Sequence, residues 1–156
     1  MHEGDLGRVP DIAAVCYPEH YEEPAIYAER LRLFPEGCFA LQAGAEVQGY
    51  ILSHPWIADS APPLDTLLHR LPEHPTACYL HDLALMPAVR GQGLARPGIE
   101  RVRAAAAGLP LTLVSVNRTV AFWERMGFDV HATKDLEAKL ESYGPDARFM
   151  VARPGG

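Results

Sequence analysis

Apolar positions along the chain fall into two spacings. Ile26, Arg30 and Leu33, with Tyr27, Leu31 and Phe34, recur at helical intervals and predict a helix from Pro24 to Pro35. Pro24 suits its first turn, where no N–H is needed. Ile12 to Val15, capped by Asp11 and ended by Pro18, predict a shorter helix before it. Ahead of that, only Leu6 to Val9 offers a strand. Cys38–Gln42 and Val47–Ser53 flank Ala43-Gly44-Ala45-Glu46 and predict a hairpin. Gly49, inside the second strand, points to a bulge or a close backbone approach. Tyr79–Met86 predicts a strand, Ile99–Ala107 an alanine-rich helix, and Leu111–Val116 a strand that is apolar on both faces, as a central strand is. Thr119–Met126 predicts a short helix closed by Gly127. Phe128–Val130 and Ala147–Ala152 predict strands, the second after a turn at Tyr143-Gly144-Pro145.

Between the second and third strands the pattern breaks. His54 to Pro75 carries Pro55, Pro62, Pro63, Pro72 and Pro75. Leu64, Leu67, Leu68 and Leu71 share a helical face and predict one or two turns. A segment this long is more often a functional lid than a plain connection. It is expected to contact substrate, with a surface excursion as the alternative. The whole chain, 1–156, reads as one α/β domain with a mixed sheet and a proline-rich insert at about 54–77.

Composition narrows the partners. The net charge of −6 disfavours a nucleic-acid ligand and is compatible with a cationic amine. Cys16, Cys38 and Cys78 are odd in number and not spaced as C-x-x-C, so reduced thiols in a cytoplasmic protein are expected. No basic-then-apolar leader is present, and no apolar run nears the ~20 residues that span a bilayer. His69, His74 and His81 straddle the proline-rich segment without metal-ligand spacing, so no metal is expected.

The strongest motif is Val89-Arg90-Gly91-Gln92-Gly93-Leu94-Ala95-Arg96, set between a strand and a helix. Glycines let backbone N–H groups approach a ligand, and a helix start adds unpaired donors and partial positive charge. Such a loop suits phosphates. No Lys-Ser or Lys-Thr follows, so it is not a Walker loop, and Arg96 stands where a Rossmann fingerprint needs its third glycine.

Arg90-Gly91-Gln92-Gly93-Leu94-Ala95 resembles the R/Q-x-x-G-x-G/A signature of the GCN5-related N-acetyltransferases, the GNAT superfamily. Met86-Pro87 at the strand exit and Ala121-Phe122-Trp123-Glu124-Arg125-Met126-Gly127-Phe128 downstream strengthen the likeness, which covers about Gly37 to Val151. The resemblance implies a GNAT fold: a mixed central sheet with splayed central strands, flanked by helices, and acetyl-coenzyme A wedged between those strands. It implies that the backbone of Arg90, Gly91, Gln92, Gly93, Leu94 and Ala95 holds the pyrophosphate. The main chain of Leu83, Ala84 and Leu85 is expected to pair with the pantetheine arm, with the Leu85 amide as oxyanion donor. Arg90, Arg96 and Arg101 are cations near the phosphates, although Arg101 and Arg103 read better as solvated helix charges.

The same resemblance makes His81 a candidate general base, with Asp82 beside it. In a regular strand the two point to opposite faces, so one of them is expected to face the acceptor. Trp123 stands where many members have the tyrosine general acid, and an indole N–H does not supply that proton. Trp123 is expected to pack by the pantetheine sulfur or in the core, with water, Tyr79 or Tyr143 as substitute donors. Asn117 lies near a coenzyme-contacting asparagine of some members, or simply ends its strand. The implied function is transfer of an acetyl group to a primary amine, small or peptidic, by direct attack. The alternative is an acyl-coenzyme A sensor or interaction module without turnover. Homodimers occur in the family; the sequence shows no interface.

Overall fold

In the computed structural model, residues 1–155 are described. Six strands, β1 (Cys38–Ala43), β2 (Glu46–Trp56), β3 (Ala77–Leu85), β4 (Leu111–Ser115), β5 (Asp129–Val130) and β6 (Arg148–Ala152), form one sheet in the order β1-β2-β3-β4-β6-β5. All neighbours are antiparallel except β3 and β4. Helices α1 (Val9–Cys16) and α2 (Pro24–Leu33) bury Val9, Ile12, Tyr27 and Leu31 against Tyr50, Leu52 and Ala84 on one face. On the other, α3 (Ala95–Ala105) and α4 (Val120–Arg125) bury Ile99, Val102 and Trp123 against Ile51, Leu80, Leu113 and Met150. Tyr50 and Leu52 pointing one way and Ile51 the other is the period-2 alternation of a sheet with both faces covered.

Several elements differ from expectation. Leu6–Val9 is not a strand, because Val9 already begins α1. The amino terminus instead bonds the Cys38 carbonyl at 2.9 Å. Pro10 starts that helix early, since proline lacks the N–H a first turn leaves unused; Asp11 sits inside the turn and does not cap it. Strand β2 runs past Ser53 to Trp56, so the irregular insert is residues 57–76. Pro55 is tolerated there because β1 ends opposite Leu52, leaving no ladder on that side for a missing N–H to break.

Residues 64–71 form no helical turn. Asp65 and His69 have φ of 48° and 65°, incompatible with a right-handed helix, and their amides are held by carboxylates of the α1–α2 region. A fifth helix, α5 (Lys134–Leu140), precedes β6. Thr133 caps it, its hydroxyl accepting the Leu136 N–H, and Leu136 and Leu140 pack on Phe149. The glycine-loop helix begins at Ala95, a turn before the apolar run, with Pro97 in its first turn. As expected, Gly49 marks a close approach: a Cβ there would lie 2.6 Å from Leu85 Cδ2 and 2.8 Å from the Ala84 carbonyl oxygen.

Candidate active site

Parallel strands β3 and β4 pair only at Cys78↔Leu111 and Tyr79↔Thr112, then diverge. Each diverging strand stays held on its outer edge, β3 by β2 up to Leu85 and β4 by β6 along its length. Their inner edges are thereby left open, and a cleft lies between residues 79–83 and 113–116. Trp123, residues of the α1–α2 region, Leu64 and Tyr143 complete its lining.

Main-chain polarity along β3 follows from its register. The Met86 N–H bonds the Gln48 carbonyl, so alternation of the antiparallel ladder turns the polar groups of Leu83 and Leu85 away from β2, toward the opening. Ala84 is thereby turned into the β2 ladder, opposite Tyr50, and does not present its main chain to the cleft as expected. The Leu83 carbonyl accepts the Tyr17 hydroxyl. The Leu85 carbonyl accepts Arg90 Nε at 2.8 Å and the Cys16 thiol at 3.3 Å.

At the open end of β3 the chain makes a short turn at Pro87–Val89 and enters the glycine loop. Gly91 and Gly93 have φ of 75° and 72°, a region that L-residues rarely adopt. Among the described residues, the backbone N–H groups of Gly91, Gln92, Gly93 and Leu94 meet no backbone acceptor. They adjoin the uncapped start of α3. Four free amides at a helix N-terminus make an anion cradle.

His81 and Asp82 both line the cleft, contrary to the expectation that only one would. The reason is a bulge. Leu52 pairs with Asp82 and Ser53 with Leu80, leaving His81 as the extra residue of β3. A bulge re-aims its side chain and breaks the alternation that sends neighbours to opposite faces. His81 Nε2 lies 2.8 Å from Glu22 Oε1, with both side chains almost fully buried. The second Glu22 oxygen accepts the Asp65 N–H at 3.3 Å. Burial works to raise the Glu22 carboxyl, but the His81 ring, Arg30 and that amide outweigh it and hold it below its ordinary value. Glu22 is therefore a carboxylate fixed on an imidazole.

Asp82 has a different environment. Its Oδ2 accepts the Tyr50 hydroxyl. Burial pushes the carboxyl up to about 6, against the lowering pull of His81 and the phenol. Behind this pair, His54 is fully buried and pushed down to about 3 by burial, which leaves it neutral. The cleft thus holds one carboxylate–imidazole pair and one carboxyl poised near neutrality, and burial raises the phenols of Tyr17, Tyr27, Tyr79 and Tyr143 around them.

Other expected residues are dispersed. Arg90 folds back on Leu85 and Cys16, and Arg96 donates to the Arg125 carbonyl at 3.1 Å. Arg103 lies 3.8 Å from Glu100, and Arg101 lines a groove beside β1. Trp123 packs edge-on to Phe122 and Phe128 in the core and also lines the cleft. The Tyr143 hydroxyl is spent on the Pro62 carbonyl at 2.6 Å, and Tyr79 is buried. Asn117, exposed at φ 55°, turns the chain after β4, outside the cleft lining. Among the described residues, no group of three or more metal-ligating side chains could hold an ion, and no helix is long and apolar enough to cross a membrane. Sequence reasoning missed Glu22, Tyr17 and Tyr50, which come from elements far along the chain and carry no motif.

Comparison with known proteins gives this geometry a context. The model of the acetyltransferase (GNAT) family matches residues 7–128. No curated protein matches. Among solved structures, the GphF GNAT-like decarboxylase in complex with isobutyryl-CoA is 18% identical, with a TM-score of 0.75 over 97% of this chain and 95% of that one. Arabidopsis thaliana Naa50, in complex with the bisubstrate analogue CoA-Ac-MVNAL, is 14% identical, with a TM-score of 0.65 over 97% and 93%. Chaetomium thermophilum Naa20, also with a bisubstrate analogue, is 20% identical, with a TM-score of 0.65 over 95% and 83%. These likenesses concern the fold.

Proposed function

Because the chain belongs to the GNAT acetyltransferase family, we propose that it transfers an acetyl group from acetyl-coenzyme A to a primary amine by direct attack. One observation carries this reading: the Glu22–His81 pair lies in a cleft lined by Leu83, on the strand that runs on through Leu85 to the free amides of the glycine loop.

The roles follow from the groups present. The amides of Gly91 to Leu94 and the start of α3 take the coenzyme A pyrophosphate. The main chain of Leu83 and Leu85 bonds the pantetheine arm like an added strand. Arg90 and Tyr17 bond the carbonyls of those residues and yield to the arm as it binds. Glu22 accepts the Nε2–H of His81, which leaves Nδ1 with its lone pair free. The neutral amine attacks the thioester carbon and an N–C bond forms. Negative charge gathers on the carbonyl oxygen, where the Leu85 N–H stabilises it. The C–S bond then breaks and coenzyme A leaves as thiolate. His81 Nδ1 takes the amine proton. An ordinary thiol has a pKa of about 8.5, so the thiolate leaves without an obligatory acid. Trp123 in the tyrosine position is then no obstacle. Asp82 faces the incoming ammonium, which loses its first proton to solvent before the neutral amine attacks, and a cation there favours its ionised form.

Glu22 is a positioning residue for His81. His81→Gln should lower kcat by about 100-fold, the usual scale of general-base catalysis, and flatten the acidic limb of the pH–rate profile. Glu22→Gln should lower kcat by roughly tenfold and shift that limb while leaving the acetyl-coenzyme A KM unchanged. A profile unaltered by His81→Gln removes it as the base. Tight acetyl-coenzyme A binding with no thiol release for any amine would assign the fold to a binding module.

A further inference from the structure

Residues 57–76 are not needed to join β2 to β3. Trp56 and Ala77 are register partners on antiparallel strands, so a two-residue turn would close them. The segment is instead fastened on two sides of the cleft. Toward α2, the Glu29 carboxylate takes the N–H groups of Leu68 at 2.5 Å and His69 at 3.1 Å. Arg30 donates to the Thr66 carbonyl at 3.2 Å, and Asp65 accepts the Glu23 N–H at 2.7 Å. On the far side, Tyr143 donates to the Pro62 carbonyl. Leu64, between the two fastenings, lines the cleft with Tyr143. Glu29 and Arg30 are 6% and 0% exposed. A buried ion pair that spends its bonds on the backbone of an irregular segment fixes that segment's path, which a mere surface excursion does not require. The roof also touches the catalytic pair, since Asp65 bonds the carboxylate that holds His81.

We propose that residues 62–69 form a fixed roof that restricts the acceptor to a small primary amine and excludes polypeptide amines. This rests on the amine-acetylation reading and names its substrate class. A peptide chain must leave the cleft beside its own first residue, and an extended strand with side chains needs about 10 Å of clearance. Leu64 and Tyr143 line the cleft, and the Tyr143–Pro62 bond ties the segment beside them, which leaves little room for that strand. An amine with a short side group needs no such clearance. Glu22 and Asp82 are the acidic groups of the lining, and no lysine or arginine among the described residues lines it, which suits an ammonium.

Two coenzyme A–acetyl conjugates test the roof, one of propylamine and one of the N-terminus of a pentapeptide, with coenzyme A alone as the reference. Calorimetry would compare the wild type, a variant with residues 57–76 replaced by Asn-Gly, and the milder Leu64→Ala/Tyr143→Phe, which keeps the α2 fastenings if the first fails to fold. The wild type should bind the propylamine conjugate about 100-fold more tightly than the peptide conjugate, and either variant should narrow that gap by about tenfold. Wild-type affinities within about threefold of each other, or a gap unchanged in the folded variants, would overturn the roof alone. Coenzyme A binding with no gain from either conjugate would instead remove the amine-acetylation reading, and the roof with it.

Discussion

Replacing Asp82 by Asn should make the protein more stable at neutral pH, and the gain should be set by pH. In the folded protein the Asp82 carboxyl is pushed up to about 6 by burial, against 3.8 for the exposed group. A raised folded value means that its contribution is fully present below about pH 3.8 and is lost as pH rises through about 6. Ionising it at neutral pH therefore costs stability. The difference of about two units corresponds to at most about 3 kcal/mol, at 1.36 kcal/mol per unit. Roughly half of that falls between pH 5 and pH 8. Asparagine does not titrate, and its amide oxygen can still accept the Tyr50 hydroxyl that Asp82 Oδ2 accepts now. The advantage of Asp82→Asn over wild type should thus grow by roughly 1–1.5 kcal/mol from pH 5 to pH 8. For a domain of this size that is about 2–6 °C in Tm. Urea denaturation of both proteins at half-unit steps between pH 5 and pH 8 measures it. A stability difference independent of pH would show that the Asp82 carboxyl is not raised in the folded protein. So would an advantage that shrinks as pH rises, because the carboxylate would then be favoured by its surroundings.

Three further outcomes follow from local geometry. Gly49→Ala places a Cβ 2.6 Å from Leu85 Cδ2 and 2.8 Å from the Ala84 carbonyl, so urea denaturation should show a loss of about 1–3 kcal/mol, with weaker coenzyme A binding by calorimetry because Leu85 is displaced. Gly93→Ala meets no neighbouring atom but keeps a φ of 72°, so its roughly 1 kcal/mol of backbone strain should appear as an acetyl-coenzyme A KM raised about fivefold, with kcat preserved. Thr133→Ala removes the hydroxyl that accepts the Leu136 N–H; it should cost about 1 kcal/mol in thermal denaturation and leave kcat/KM unchanged, since α5 lies outside the cleft lining.

What could be read from the chain differs by the range over which each feature is determined. The glycine loop, the hairpin about Gly44 and the close approach at Gly49 are local: a positive φ or a missing Cβ is written into one residue. Helix α2 was legible because a buried stripe has a period. The roof was not, because Leu64, Leu67, Leu68 and Leu71 imitate that period while the conformation is dictated by Glu29 and Arg30, more than thirty residues away. Strict alternation predicted opposite faces for His81 and Asp82; a bulge depends on how Leu52 and Ser53 pair across the sheet, which His81 itself does not encode. Glu22 and Tyr50 were invisible for the same reason. They are ordinary residues locally and become functional candidates only when the α1–α2 region packs beside the opening between β3 and β4. Helix α5 had a local signal that went unread, Thr133 followed by Leu136 and Leu140.

The cleft between β3 and β4 is proposed as the place where acetyl transfer to an amine occurs. The most direct measurement is thiol release from acetyl-coenzyme A across a panel of small primary amines, with product masses determined and His81→Gln run in parallel. Release should be matched one for one by an N-acetylated amine, and the rate should be about 100-fold lower in His81→Gln. Acetyl-coenzyme A binding without release for any amine, or release undiminished in His81→Gln, would contradict that proposal.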